Sequence, residues 1–65
     1  MITLNGRIVD DADELSVAAL LSRENYVSSR VAVECNGRII PKAQYEHKQV
    51  TDGDVLEVVC FVGGG

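Results

Sequence analysis

The sequence is poor in the residues that build metal sites, disulfide frameworks and nucleic-acid-binding surfaces. Its 65 residues include two cysteines, one histidine, one proline and no tryptophan, with six basic residues against ten acidic ones. A structural zinc site takes about four Cys or His ligands, so no metal site is expected. A net charge of −4 argues against a nucleic-acid-binding domain, because phosphate backbones are bound by clustered Lys and Arg.

Long apolar runs are also missing. A membrane-spanning helix needs about 20 apolar residues, and the segment "MITLNGR" has neither the basic start nor the apolar run of a signal peptide. We therefore expect a cytoplasmic protein. In that compartment Cys35 and Cys60 stay reduced, and both are expected to be buried as small apolar residues in two strands.

Two Asn-Gly pairs predict tight turns between short strands. Asn5-Gly6 lies within "ITLNGRIV", and Asn36-Gly37 lies within "VAVECNGRII". Asn and Gly tolerate the positive φ angles of a type I′ turn, and β-branched residues flank both pairs. The string "NGRI" occurs in both places, which indicates that the same turn chemistry is used twice. Pro41 should end the second hairpin, because proline cannot donate to a β-ladder.

The segment between the two hairpins predicts one short amphipathic helix. Ser16 suits the N-cap, since its hydroxyl can accept from a free amide of the first turn. Val17, Leu20 and Leu21 follow the i, i+3, i+4 spacing of one buried helix face. Asn25 suits the end of the helix because it tolerates a left-handed conformation.

The segment after Pro41 is polar and predicts a loop or a short 3₁₀ turn. Within "KAQYEHKQV", Tyr45 is the expected apolar anchor, and His47 is expected to be a solvated loop residue with no catalytic partner. "TDGD" predicts another turn before the last strand. The element order is therefore β-β-α-β-β-β, which indicates an α+β domain with a mixed sheet and one helix packed across one face.

The last strand, predicted over Val55–Val62, carries the first candidate site. Alternation assigns its side chains to an inner face (Leu56, Val58, Cys60, Val62) and an outer face (Val55, Glu57, Val59, Phe61). Glu57 marks the outer face as solvated, since an unpaired carboxylate is almost never fully buried. Val59 and Phe61 are then exposed, which fits either a docking surface for a partner or a half-covered strand.

Three glycines follow this strand and carry the second candidate site. We expect a folded domain over residues 1–62 and a flexible tail at Gly63, Gly64 and Gly65. Such a tail has three interpretations: a disordered end, an engineered linker, or a substrate. The third is chemically attractive, because glycine has no side chain and can present a terminal carboxylate within a narrow channel.

Three stretches of the chain resemble the ThiS family of small sulfur carriers: "ITLNG", "VECNGRIIPK" and "DGDVLEVVCFVGGG". With the helix between them, the resemblance covers essentially the whole length. It implies the ubiquitin-like β-grasp fold, with about five strands and with the first and last strands side by side in the middle of the sheet. Cys60 is not a position that the family's chemistry requires.

The resemblance also implies a function in thiamine biosynthesis. In this family an E1-like enzyme of the ThiF type uses ATP and magnesium to adenylate the terminal glycine, which here is Gly65. Sulfur then replaces AMP, and the resulting thiocarboxylate supplies thiazole synthase (ThiG type). On this interpretation Gly63 and Gly64 provide clearance, Glu57, Val59 and Phe61 belong to the docking face, and the protein is a co-substrate that binds no cofactor itself.

Three alternatives remain open at this point. The small subunit of molybdopterin synthase uses the same tail chemistry, but such chains tend to be longer and usually have prolines before the glycines, where this sequence reads "VVCFV". A plain β-grasp interaction domain would gain no sulfur. A protein modifier of the ubiquitin type would become linked to lysines of target proteins.

Overall fold

The computed structural model of the protein describes residues 1–61. Its elements are β1 (Ile2–Leu4), β2 (Arg7–Val9), α1 (Val17–Arg23), a 3₁₀ turn (Ser28–Arg30), β3 (Val31–Cys35), β4 (Arg38–Ile40), a second 3₁₀ turn (Lys42–Gln44) and β5 (Val55–Cys60). In this part of the chain the strands form one mixed five-stranded sheet in the order β2-β1-β5-β3-β4. The α+β class is confirmed, and β1 lies parallel beside β5, which occupies the middle of the sheet.

Both Asn-Gly pairs form the predicted hairpin turns. The φ angles are +52° at Asn5 and +80° at Gly6, and they are +53° at Asn36 and +84° at Gly37. Positive φ at both central residues is the requirement of a type I′ turn. The two hairpins, β1-β2 and β3-β4, therefore share one turn geometry and flank β5 from opposite sides.

The helix begins and ends as its sequence predicts. The Ser16 hydroxyl accepts a hydrogen bond from the Ala19 amide at 3.0 Å, which confirms the N-cap. Asn25 follows the helix with a φ of +67°, and the Tyr26 amide donates to the Leu21 carbonyl at 2.8 Å. This bond and the left-handed Asn25 are features of a Schellman motif. With seven residues in α1, no helix within residues 1–61 has the length and apolar character needed to cross a membrane.

The hydrophobic core lies between α1 and the inner face of the sheet. The helix contributes Val17, Leu20 and Leu21, and the strands contribute Ile2, Leu4, Val9, Val31, Val33, Cys35, Ile40, Leu56 and Val58. Tyr45 is also buried, which confirms it as the anchor of the segment after Pro41. Ala12 and Val50 complete the core from irregular segments, where no apolar periodicity predicts their burial.

The turn before β5 is held by the carboxylate of Asp54. This group accepts hydrogen bonds from the Thr51 amide at 2.8 Å and from the Asn36 side chain at 3.0 Å. Partial burial of the carboxyl opposes its ionisation, but these hydrogen bonds, together with the charge of Lys48, outweigh burial and lower the pKa of Asp54 below its usual 3.8. The charged form of Asp54 thus stabilises the junction between the β3-β4 hairpin and β5.

Replacing Asp54 by Asn should therefore lower stability in a pH-dependent way. A carboxylate whose pKa is depressed by folding contributes stability above its unfolded pKa, and this contribution is lost as the pH falls through the folded pKa. We expect Asp54→Asn to cost about 1 kcal/mol at pH 7, because the group is partly solvated, or a melting temperature lower by about 4–8 °C. Thermal unfolding at pH 7 and below pH 3 measures this. A deficit that stays constant across that range would show that the charge of Asp54 contributes nothing.

Candidate functional site

The faces of β5 are those that alternation predicts. Leu56 and Val58 are buried with 1% and 7% of their surface exposed, whereas Val59 and Phe61 are 59% and 55% exposed. Glu57 is exposed on the same side as Val59 and Phe61. The strand therefore places Val55, Glu57 and Val59 in solvent at the centre of the sheet, and Phe61 is exposed just beyond the end of the strand.

Two expectations for the end of β5 were wrong. The strand ends at Cys60 instead of Val62, although the Phe61 amide still donates to the Arg30 carbonyl at 2.8 Å. Cys60 is exposed and not buried. Cys60 lies opposite the buried Val31, which places it on the inner face as predicted. However, β1 pairs with β5 only as far as Leu56, so the β1 side offers Cys60 no neighbouring strand.

The predicted tail lies outside the described residues. This holds for Gly63, Gly64 and Gly65, and also for the inner-face assignment of Val62. Their proposed roles remain predictions from the sequence and from the resemblance.

The outer face of the sheet carries more exposed apolar side chains than the sequence analysis predicted. We call this set the outer patch; its members are Ile8, Ile39, Val55, Val59 and Phe61. Ile8 and Ile39 come from the edge strands β2 and β4 and were missed. The repeated "NGRI" string contained the signal, because two turns of equal geometry place the isoleucine of each hairpin at an equivalent position.

A pair of carboxylates interrupts the outer patch. Glu34 of β3 lies directly opposite Glu57 of β5, and Ile39 lies opposite Glu34 on the other side. Like charges in directly opposed positions are unfavourable within a sheet. Neither carboxylate belongs to an ion pair among residues 1–61. The outer face thus combines apolar side chains with negative charge, a combination that suits a partner surface with apolar pockets and basic residues.

The described part of the chain offers little for catalysis. No polar or charged residue among residues 1–61 is buried, and these residues contain no group of three His, Cys, Asp or Glu side chains placed to hold a metal ion. His47 is exposed in its loop, as predicted. Burial raises the pKa of the Cys35 thiol, with the nearby Asp54 carboxylate contributing in the same direction. A thiol in that environment is a poor nucleophile.

Two open grooves lie outside the predicted docking residues, although the second one reaches Ile39 of the outer patch. The first, of about 420 Å³, lies beside α1 and is lined by Ala18, Ser28, Ser29, Lys42, Ala43, Tyr45 and Glu46. The second, of about 390 Å³, lies along the β4 edge and includes Arg38 and Lys48. Neither groove is lined by Glu57, Val59 or Phe61, so the predicted docking residues lie on an open sheet face.

Comparison with known proteins identifies the class of protein that this fold represents. The chain belongs to the ThiS family, whose model matches residues 1–65. A crystal structure of the thiamine biosynthesis protein (ThiS) from Geobacter metallireducens superposes with a TM-score of 0.79 and 37% identity, covering 98% of this chain and 97% of the other. The resemblance and the β-grasp fold that it implied are both confirmed.

Two curated relatives differ in length. The sulfur carrier protein ThiS of Bacillus subtilis is 39% identical over 66 residues, which is 100% of each chain. A thiazole synthase from Paramagnetospirillum magneticum is 42% identical over 64 residues, which is 98% of this chain but 20% of that protein. The chain thus matches one relative end to end and a small part of the other.

Proposed function

We propose that this protein is the sulfur carrier for thiazole formation in thiamine biosynthesis, and that Gly65 carries the sulfur. The observation that carries this proposal is the match to the ThiS family over residues 1–65, which includes all three glycines. The end-to-end similarity to a protein named as a sulfur carrier supports it. The protein is a co-substrate of other enzymes, with no active site and no bound cofactor of its own.

The chemistry begins at the carboxylate of Gly65. A carboxylate is a poor electrophile because its negative charge repels nucleophiles. An E1-like partner of the ThiF type, using ATP and magnesium, joins this carboxylate to AMP and releases pyrophosphate. The outer sulfur of a cysteine persulfide on the partner then displaces AMP, which gives an acyl disulfide between Gly65 and that cysteine. A second thiol attacks the cysteine sulfur of this bond and forms a disulfide with it, and this reduction releases a thiocarboxylate at Gly65 for transfer to thiazole synthase.

The glycines suit this role for a steric reason. Without a Cβ atom, Gly63 and Gly64 can pass through a channel that would exclude other residues. The four residues from 62 to 65 reach about 13 Å when extended, at about 3.3 Å per residue. This is long enough to deliver the carboxylate into a partner's active site while the folded domain stays outside.

The outer patch is the proposed docking surface for both partners. Val59 and Phe61 are exposed next to the tail in sequence, and apolar side chains near the centre of an interface dominate binding energy. Glu57, with Glu34 opposite it, supplies negative charge that would steer a basic partner surface. The thiazole synthase relative supports that enzyme as a partner, because part of it is similar to this chain.

A reconstituted reaction tests the proposal and separates it from the molybdopterin synthase subunit and from a plain interaction domain. The chain is incubated with a ThiF-type enzyme, ATP, magnesium, a persulfide source and a thiol reductant, and AMP release is measured with and without the chain. The product is then offered to thiazole synthase or to the large subunit of molybdopterin synthase. We expect AMP release and sulfur transfer to thiazole synthase. Transfer only to the molybdopterin enzyme would favour the other carrier class, and no AMP release would favour a plain interaction domain.

The proposed location is the cytoplasm, where ATP is available and thiols stay reduced. Cys35 and Cys60 are free cysteines, and they lie near opposite ends of the β3-β5 pair, opposite Leu56 and Val31 respectively. The carrier reaction requires neither of them.

A further inference from the structure

The two sides of β5 are supported unequally. On one side β3 pairs with the whole strand, as far as Val31 opposite Cys60. On the other side β1 ends at Leu4, which lies opposite Leu56. Within residues 1–61, the last four residues of β5 therefore have no neighbouring strand on the β1 side. An unpaired strand end adjoining a chain terminus is prone to fraying.

The side chain of Asn5 occupies this gap. The Asn5 amide first donates to the Leu56 carbonyl at 2.9 Å. Its side-chain Oδ1 then accepts from the Val58 amide at 2.8 Å, and its Nδ2 donates to the Val58 carbonyl at 3.2 Å. A carboxamide offers one acceptor and donors in nearly the arrangement of a peptide group. Asn5 thus provides Val58 with the hydrogen bonds that a further residue of β1 would have made.

The equivalent residue of the other hairpin acts at the opposite end of β5. The Asn36 side chain accepts from the Val55 amide at 2.9 Å and donates to the Asp54 carboxylate at 3.0 Å. The two turns have the same backbone geometry, and each has its asparagine amide bonded to β5. Only Asn5 acts at the end from which the chain continues to Val59, Phe61 and the glycines.

We propose that Asn5 is a positioning residue for the carrier reaction: its carboxamide keeps β5 extended beyond the end of β1, which fixes the placement of Val59 and Phe61. The inference rests on the proposed function. Without the carboxamide, a smaller fraction of molecules has the arrangement that a partner binds. The apparent dissociation constant then rises by the reciprocal of that fraction, while the reaction of the bound complex is unchanged.

The variant Asn5→Gly tests this, since glycine keeps the positive φ of the turn but has no carboxamide. With the ThiF-type enzyme, ATP, magnesium, a persulfide source and a thiol reductant, we expect the KM for the carrier in AMP release to rise about tenfold and kcat to stay within about twofold. Hydrogen exchange of the free protein should show faster exchange at the Val58 amide, which loses its acceptor.

Asn36→Gly is the matched control, because it makes the same change in an equivalent turn. It should leave KM, kcat and exchange at Val58 within about twofold of the unaltered chain. Asn5→Asp keeps an acceptor for the Val58 amide but sets a carboxylate oxygen against the Val58 carbonyl, so its KM should also exceed that of Asn36→Gly. This second variant also serves if Asn5→Gly does not fold. All assays are run below the melting temperature of every variant.

The results distinguish the inference from the proposed function. An equal KM for the Asn5 and Asn36 variants, or unchanged exchange at Val58 in Asn5→Gly, would overturn the role of Asn5. If the unaltered chain supports no AMP formation, the proposed function fails. The exchange comparison then still decides whether Asn5 holds the end of β5.

Discussion

Removal of Gly65 is expected to abolish AMP formation with the adenylating enzyme while leaving the folded domain intact. The deletion moves the terminal carboxylate back by one residue, about 3.3 Å, and a misplacement of even 1 Å can cost about a hundredfold in rate. Gly64→Ala should also slow the reaction severely, because its Cβ would meet the wall of the proposed channel. Within residues 1–61, the last residue that belongs to the core is Val58. The free energy of unfolding should therefore change by less than about 0.5 kcal/mol.

A glycine within the folded domain provides the opposite control. Gly37 has a φ of +84° in the second hairpin turn, and a Cβ atom added to it would meet nothing within 4 Å apart from its two chain neighbours. Gly37→Ala should therefore cost about 1 kcal/mol or more through backbone strain alone, yet folded molecules should be adenylated at the normal rate. AMP release and thermal unfolding are measured for all three variants. Normal AMP release from the chain lacking Gly65 would refute the mechanism.

Phe61→Asp is expected to weaken partner binding while leaving the folded domain intact. Phe61 is 55% exposed, so the substitution should leave the melting temperature within a few degrees. Its affinity for the adenylating enzyme should fall about 30-fold or more, the effect of losing an interface residue worth about 2 kcal/mol. Leu56→Ala should do the reverse. Leu56 is 1% exposed, and its truncation should cost about 2–4 kcal/mol through lost burial and a cavity.

The control for charge is Val27→Asp. Val27 is 58% exposed and precedes the first 3₁₀ turn, outside the strands of the sheet. The Val27→Asp variant therefore carries the same new charge as Phe61→Asp, at a position of similar exposure, and leaves the outer patch unaltered. Its affinity for the enzyme should match that of the unaltered chain. Equal losses of affinity for Val27→Asp and Phe61→Asp would mean that net charge, not the patch, governs binding.

Local chemistry explains why much of this fold could be predicted from the sequence. The Asn-Gly turns, the Ser16 cap and the left-handed Asn25 depend on residues close together in the chain. The faces of β5 were predictable because Glu57 identifies the solvated side of an alternating strand. The strand order could not be predicted from local sequence. The parallel pairing of β1 with β5 joins residues from the first and last parts of the sequence, and only the family resemblance indicated it.

The errors and omissions at the site share a physical cause. The exposure of Cys60 depends on where β1 stops, and the bond of Asn5 to Val58 joins residues 53 positions apart. Neither follows from periodicity within one segment. Ala12 and Val50 were missed because they enter the core from irregular segments, where burial depends on tertiary packing alone.

The mass of the carrier after reaction tests the central claim most directly. The chain is incubated with the ThiF-type enzyme, ATP, magnesium, a persulfide source and a thiol reductant, and the intact protein and its C-terminal fragments are analysed by mass spectrometry. We predict a mass gain that corresponds to the replacement of one oxygen by one sulfur, located at Gly65 and absent when ATP is omitted. An unchanged mass at Gly65 despite AMP release, or sulfur located at Cys60 instead, would contradict the account.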